Sequence, residues 1–142
     1  MKAFGKSYVT IFLLALISFF IGCKKSTSGG NTPPVAEVEE NIVFTINPDP
    51  GTSLQPVTGA THNVTITVTS KMPSKGIDAV VDVRRESDQG VVFNQMLTLA
   101  TNSFTTTITG LVQGVVCKAT ITLNSKGTTT NTATKSFTLA RK

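Results

Sequence analysis

The sequence predicts an all-β domain over residues 41–142, built as a seven-stranded antiparallel sandwich. Three observations carry this. From residue 41 onward, apolar residues recur at every second position, the period of a strand with one buried face. Turn residues break that alternation at short intervals: Asn47-Pro48-Asp49-Pro50-Gly51, Pro73-Ser74-Lys75-Gly76, Gly90, Gly110 and Asn124-Ser125-Lys126-Gly127. No helical period competes with either. A domain of this size buries a core without disulfides or metals, which suits a chain whose cysteines are Cys23 and Cys117.

The residues before the domain divide in two. Lys2 and Lys6 precede an apolar run from Tyr8 to Ile21, interrupted by Thr10 and Ser18. That is the length of a signal peptide, whereas a spanning helix needs about 20 apolar residues. The run ends Phe20-Ile21-Gly22-Cys23, which resembles the bacterial lipoprotein signal, with a small residue immediately before an acylated cysteine. Phe20 stands where leucine is usual. The resemblance implies cleavage between Gly22 and Cys23, so that residues 1–22 are removed and Cys23 carries the lipid. Gly-Cys-Lys-Lys followed by Ser, Thr and Gly is also similar to Bacteroidota-type lipoproteins. Lys24, where aspartate is associated with inner-membrane retention, implies lipid anchoring to the outer membrane. Acidic residues close behind the cysteine tend to mark surface export in that group, and none precedes Glu37, so the periplasmic or surface face stays open.

Residues 23–40 form the lipidated cysteine and its tether. From Lys24 to Pro34 there are only Lys, Ser, Thr, Gly, Asn and Pro, a composition that cannot bury enough apolar surface to offset ordering. Such a tether reaches roughly 20 Å, enough to lift a small domain clear of lipid head groups. Glu37, Glu39 and Glu40 read as a solvated approach to the first strand.

The strands follow in order. Ile42, Phe44 and Ile46 face inward until the prolines at 48 and 50 stop the ladder. Gln55 to Thr58 reads as loop or as a short edge strand outside the seven. Val64, Ile66 and Val68 alternate with Thr65, Thr67 and Thr69. After the turn at Pro73 to Gly76, Ile77, Ala79, Val81 and Val83 face inward against Asp78, Val80, Asp82 and Arg84. Glu86 to Gly90 is a hairpin loop. Val91, Phe93, Leu97 and Leu99 resume the inward set, with Gln95 as a misfit that marks a bulge or an edge. Phe104, Thr106 and Ile108 follow, then Val115, Cys117, Ala119, Ile121 and Leu123, which makes Cys117 a core residue. Ala133, Phe137 and Leu139 close the last strand.

Seven strands in about 100 residues between turn-rich loops is the pattern of an immunoglobulin-like sandwich. The stretch Ile108-Thr109-Gly110-Leu111-Val112-Gln113-Gly114-Val115-Val116-Cys117-Lys118-Ala119-Thr120-Ile121 resembles the fibronectin type III segment in which a leucine, a tight turn and a strand follow in order. Cys117 stands where that family usually carries a tyrosine, so the corner hydroxyl is missing here.

Function classes are narrowed by what the chain lacks. The formal charge of +5 falls to +3 without Lys2 and Lys6, and the remaining basic residues are scattered without aromatic stackers, which argues against nucleic acid. His62 is the only histidine, and no serine elbow accompanies it. Asp78 and Asp82 share an outward strand face, the position of solvated charges. One histidine and one free cysteine make no zinc site. There is no tryptophan, and the single tyrosine is Tyr8; Phe44, Phe93, Phe104 and Phe137 all fall on inward parity, leaving no ring for a sugar to stack on. The expectation is therefore a non-enzymatic, cofactor-free envelope module, held to the membrane through lipid on Cys23, with an envelope protein or glycan as partner. The alternative is a glycan- or calcium-binding domain acting through the loops Asn47 to Gly51 and Glu86 to Gly90, where Asn47, Asp49 and Asp88 offer the oxygens calcium requires.

Overall fold

The computed structural model describes residues 38–142, which form one compact unit. Gly22, Cys23, the expected signal segment and most of the expected tether lie outside the described residues. Eight strands are present rather than seven, and there is no helix among the described residues. They are β1 (Phe44–Asn47), β2 (Gln55–Val57), β3 (His62–Val68), β4 (Ile77–Arg85), β5 (Val91–Leu99), β6 (Ser103–Ile108), β7 (Val116–Ser125) and β8 (Thr132–Arg141). One sheet has the order β1-β3-β6 and the other β2-β8-β7-β4-β5.

The added strand is β2. It pairs with the end of β8, Gln55 opposite Leu139 and Val57 opposite Arg141, and it does so in parallel, so the five-stranded sheet is mixed where an antiparallel one was expected. Three residues including Pro56 are too few to show a period, and proline is tolerated there because β2 is an edge. The segment from Pro48 to Leu54 carries the chain from the first sheet across to the second.

Alternation puts the apolar residues of both sheets into a single cluster. Phe44, Val64, Ile66, Ile77, Val81, Val83, Ile108, Cys117, Ala119, Ile121, Leu123 and Leu139 are all at most 1% exposed. Each large aliphatic side chain so buried contributes about 1.5–3 kcal/mol. Leu111, in the connection between β6 and β7, is also buried and caps this core.

The inward set fails at one residue. Val91 was expected inside but is 54% exposed. The register against β4 shifts between Val83, opposite Phe93, and Arg84, opposite Val91. Val92 is thus an extra residue, a bulge that sends Val91 to the outer face beside Arg84. Gln95 is not the bulge. It lies on an edge strand and accepts a hydrogen bond from Thr106 Oγ1 of β6, joining the two sheets where neither has a further strand. Because three strands face five, Phe93, Leu97 and Phe104 along this seam are only half-buried.

Both outer faces are laid out as hydroxyl pairs. Thr65 and Thr105 share a hydrogen bond of 2.8 Å, as do Thr67 and Ser103 at 3.1 Å, and Thr107 donates to Asn63. On the other sheet Thr120 pairs with Ser136, Thr122 with Thr134, and Thr132 donates to Asn124. Cross-strand pairs of this kind stabilise a sheet by about 0.2–1 kcal/mol each, which explains the density of threonine at these positions without any ligand.

One turn is dictated by backbone approach. Gly76 has φ +86°, and a Cβ there would lie 2.7 Å from the carbonyl oxygen of Leu99. Only glycine meets both conditions.

Candidate functional site

The residues with which the sequence associates anchoring, Gly22 and Cys23, precede the described region, so the informative geometry is where the chain enters the domain. Glu39 and Glu40, assigned by composition to the tether, are tied to the domain by side-chain bonds. Asn131, only 7% exposed, accepts from the Ile42 amide at 2.9 Å through Oδ1. Its Nδ2 donates to the Glu40 carbonyl at 2.9 Å and to Glu39 Oε2 at 3.3 Å. Ser125, also buried, donates to Glu39 Oε2 at 2.6 Å and accepts from the amides of Gly127 and Thr128. Glu40 Oε2 in turn accepts from the Lys71 amide, and Ser70 Oγ from the Val43 amide. Every polar group of the Asn131 amide is thereby used, which is the condition for burying it without loss.

This clamp lowers the pKa of Glu39. The Ser125 hydrogen bond is the largest cause, opposed by partial burial and helped by Asn131, Thr128 and the nearby charge of Lys75. A carboxylate whose folded pKa lies below its ordinary 4.5 stabilises the fold fully above that ordinary value, and the contribution is lost as pH falls through the lower folded value. Urea unfolding of wild type and Glu39→Gln from neutral to strongly acidic pH is expected to show wild type losing stability relative to the variant across that window. A constant difference at all pH values would remove Glu39 as the titrating group.

The two candidate loops do not converge. Pro50 and Gly51 lie by Lys135 and Ser136 of β8, whereas the Glu86 amide donates to the Val116 carbonyl, and Val116 is opposite Ala140. Five positions of β8, about 17 Å, separate the two attachments. Asp88 is already engaged. Arg85 grips its carboxylate with two hydrogen bonds of 2.9 Å, and the Gly90 amide donates to it as well; the Arg85 hydrogen bond is the main cause of a pKa lowered to about 2. Asp49 accepts from the Gly51 amide, forming its own turn. Among the described residues, no three of His, Cys, Asp and Glu gather as a metal-binding group.

The other candidates are dispersed too. His62 opens β3, half-buried, and burial pushes its pKa down. Asp82 is held by Arg84 at 2.6 Å and Asn94 at 2.8 Å, while Asp78 accepts from Thr98. Each outward carboxylate therefore has a cross-strand or neighbouring partner rather than a shared substrate position. Cys117 is 1% exposed, and burial raises its thiol pKa, with Arg85 opposing. A raised pKa and lost access both suppress thiolate chemistry.

One concavity of about 270 Å³ borders the first loop, lined by Thr45, Ile46, Asp49, Pro50, Gly51, Lys135 and Ser136. Beneath it the Lys135 ammonium sits 5.3 Å from the Phe44 ring centroid. It has polar groups of both charges but no aromatic lining. Compared with known proteins, the chain matches no family model and no curated protein.

Proposed function

We propose that this chain is a non-enzymatic, lipid-anchored module of the bacterial cell envelope: an immunoglobulin-like β-sandwich held at the outer membrane through Cys23, with a binding or structural accessory role. The observation that carries the anchoring is the succession of Lys2 and Lys6, the apolar run to Ile21, Gly22-Cys23 and an apolar-free tether. Lipoproteins of this type bear several acyl chains, and at about 0.8 kcal/mol per buried methylene, two or more chains give stable attachment.

The immunoglobulin-like reading is supported by the distribution of strands. β1, β3 and β6 share one sheet while β4, β7 and β8 share the other, as the A, B, E and C, F, G strands do in that fold. The short β2 and the long β5 are then additional edges. The accessory role is supported by side chains that satisfy one another: Asp78, Asp82 and Asp88 are bonded, hydroxyls on both sheet faces pair across strands, and Cys117 is buried.

Fractionation tests the anchor. Wild type is expected in the membrane fraction after high-salt washing, and Cys23→Ser in the soluble or incompletely processed pool. Equal membrane retention of both would remove the anchor reading. The concavity beside Asn47 to Gly51 favours a second reading, binding of a small polar ligand or calcium. A ligand specific for the folded state raises the unfolding midpoint, so no shift with calcium or with a panel of glycans would dispose of it.

A further inference from the structure

We infer that β5 is a self-association edge, and that a second copy of this chain pairs with it antiparallel to continue the five-stranded sheet across a two-fold axis at Gln95. Sheet edges expose unpaired backbone groups, and monomeric proteins guard them with shortness, proline, charge or cover. Three of the edges here are guarded in that way. β1 is four residues long and runs into Pro48, β2 contains Pro56, and β8 carries Lys135 and is covered at its end by β2. β6 is uncharged but presents the hydroxyls of Ser103, Thr105 and Thr107, already bonded to β3.

β5 has none of these devices from Phe93 to Leu99, although the backbone at Gly110 closely approaches Val92 near its start. Its nine residues, Val91–Leu99, include no charge and no proline, it is paired on one side only, and the single bulge is at its start, leaving Phe93 to Leu99 regular. Met96 projects outward at 72% exposure, and Phe93 and Leu97 on the inner side, though packed against the core, are not fully covered where the three-stranded sheet stops short.

The sequence of the strand selects its own copy as the occupant. Read antiparallel about Gln95, Phe93 opposes Leu97 of the second copy and Gln95 opposes Gln95. On the outer face, Asn94 opposes Met96. Apolar residues thus meet apolar residues on the inner face, the one amide there meets its equal, and no like charges are brought together. A foreign strand would need to reproduce that pattern; the second copy has it by symmetry, as an isologous two-fold contact requires. The pairing satisfies edge amides and carbonyls and covers the remaining exposed part of Phe93 and Leu97. The contact is small and mostly one strand wide, so association belongs to the weak, concentration-dependent class.

Sedimentation velocity of the full-length chain in detergent, over a wide concentration range, tests this. Wild type is expected to show a reversible monomer–dimer equilibrium. Met96→Lys, at an exposed outward position, sets two ammonium groups diagonally across the axis and is expected to weaken the dimer by about tenfold or more with an unchanged unfolding midpoint. In a Cys23→Ser background, Gln95→Cys is expected to form a disulfide dimer on mild oxidation, since directly opposed residues lie about 4.5–5.5 Å apart at Cα and Cys117 is buried. A chain that stays monomeric throughout, or a dimer that Met96→Lys leaves intact, overturns the proposal. Weakening by Met96→Lys without a Gln95→Cys cross-link overturns the axis at Gln95.

Discussion

Phe44→Ala is expected to destabilise the fold by about 3–5 kcal/mol, the range for emptying a phenylalanine site in a packed core. Phe44 is 1% exposed, and its ring also supports the Lys135 ammonium, so the variant loses both burial and a cation–π contact. The strand carrying it is short. β1 has four residues and pairs with β3 alone, so its attachment depends on Phe44 and Ile46 more than on its ladder. For a domain of about 100 residues the unfolding midpoint should fall by roughly 15 °C or more. Differential scanning calorimetry reads this directly, and a drop of only a few degrees would show that neighbouring side chains collapse into the space.

Asn131→Ala is expected to cost about 3 kcal/mol. The substitution removes three hydrogen bonds and leaves the amide of Ile42, a residue 6% exposed, without its acceptor. Asn131→Asp separates geometry from packing. Aspartate keeps an acceptor for Ile42 but turns the donor that faces Glu39 and the Glu40 carbonyl into a second acceptor, so it should destabilise at least as much as alanine at neutral pH and recover partly in acid. Urea midpoints at two pH values decide it. If aspartate is tolerated at neutral pH, the amide is not oriented as described.

The alternation was legible because a period of two survives wherever one face is buried. Val64, Ile66, Val81, Ile121 and Leu123 are completely buried, Cys117 packs as its neighbours imply, and even Thr106, an inward polar residue at 4% exposure, lies on the expected side. The period breaks where the backbone does. Val91 has the composition of a core residue, but the extra residue at Val92 reverses its side, and nothing in the letters Val-Val-Phe distinguishes a bulge from a regular strand. β2 was legible only as an alternative, a loop or a short edge strand at Gln55 to Thr58, because three residues are too few to show a period.

The clamp was illegible for another reason. Asn131 sits among threonines that are all exposed at 128–130, and its partners at Glu39, Glu40 and Ile42 are about ninety residues away. A polar residue becomes structural through what the fold brings to it, and composition reports only its polarity. Cys23, the proposed anchor, is the opposite case, since its signal is entirely local and owes nothing to the domain.

The parallel pairing of β2 with β8 has a mechanical consequence. The chain enters beside Asn131, just before β8 begins, and β8 ends about 30 Å away where the Lys142 amide donates to the Val57 carbonyl. β2 and the end of β8 point the same way, so tension between Val38 and Lys142 pulls them in opposite senses along their common axis. The bonds of that ladder are loaded together rather than one after another, so once the Asn131 clamp and the short β1 give way, the load passes to the three residues of β2.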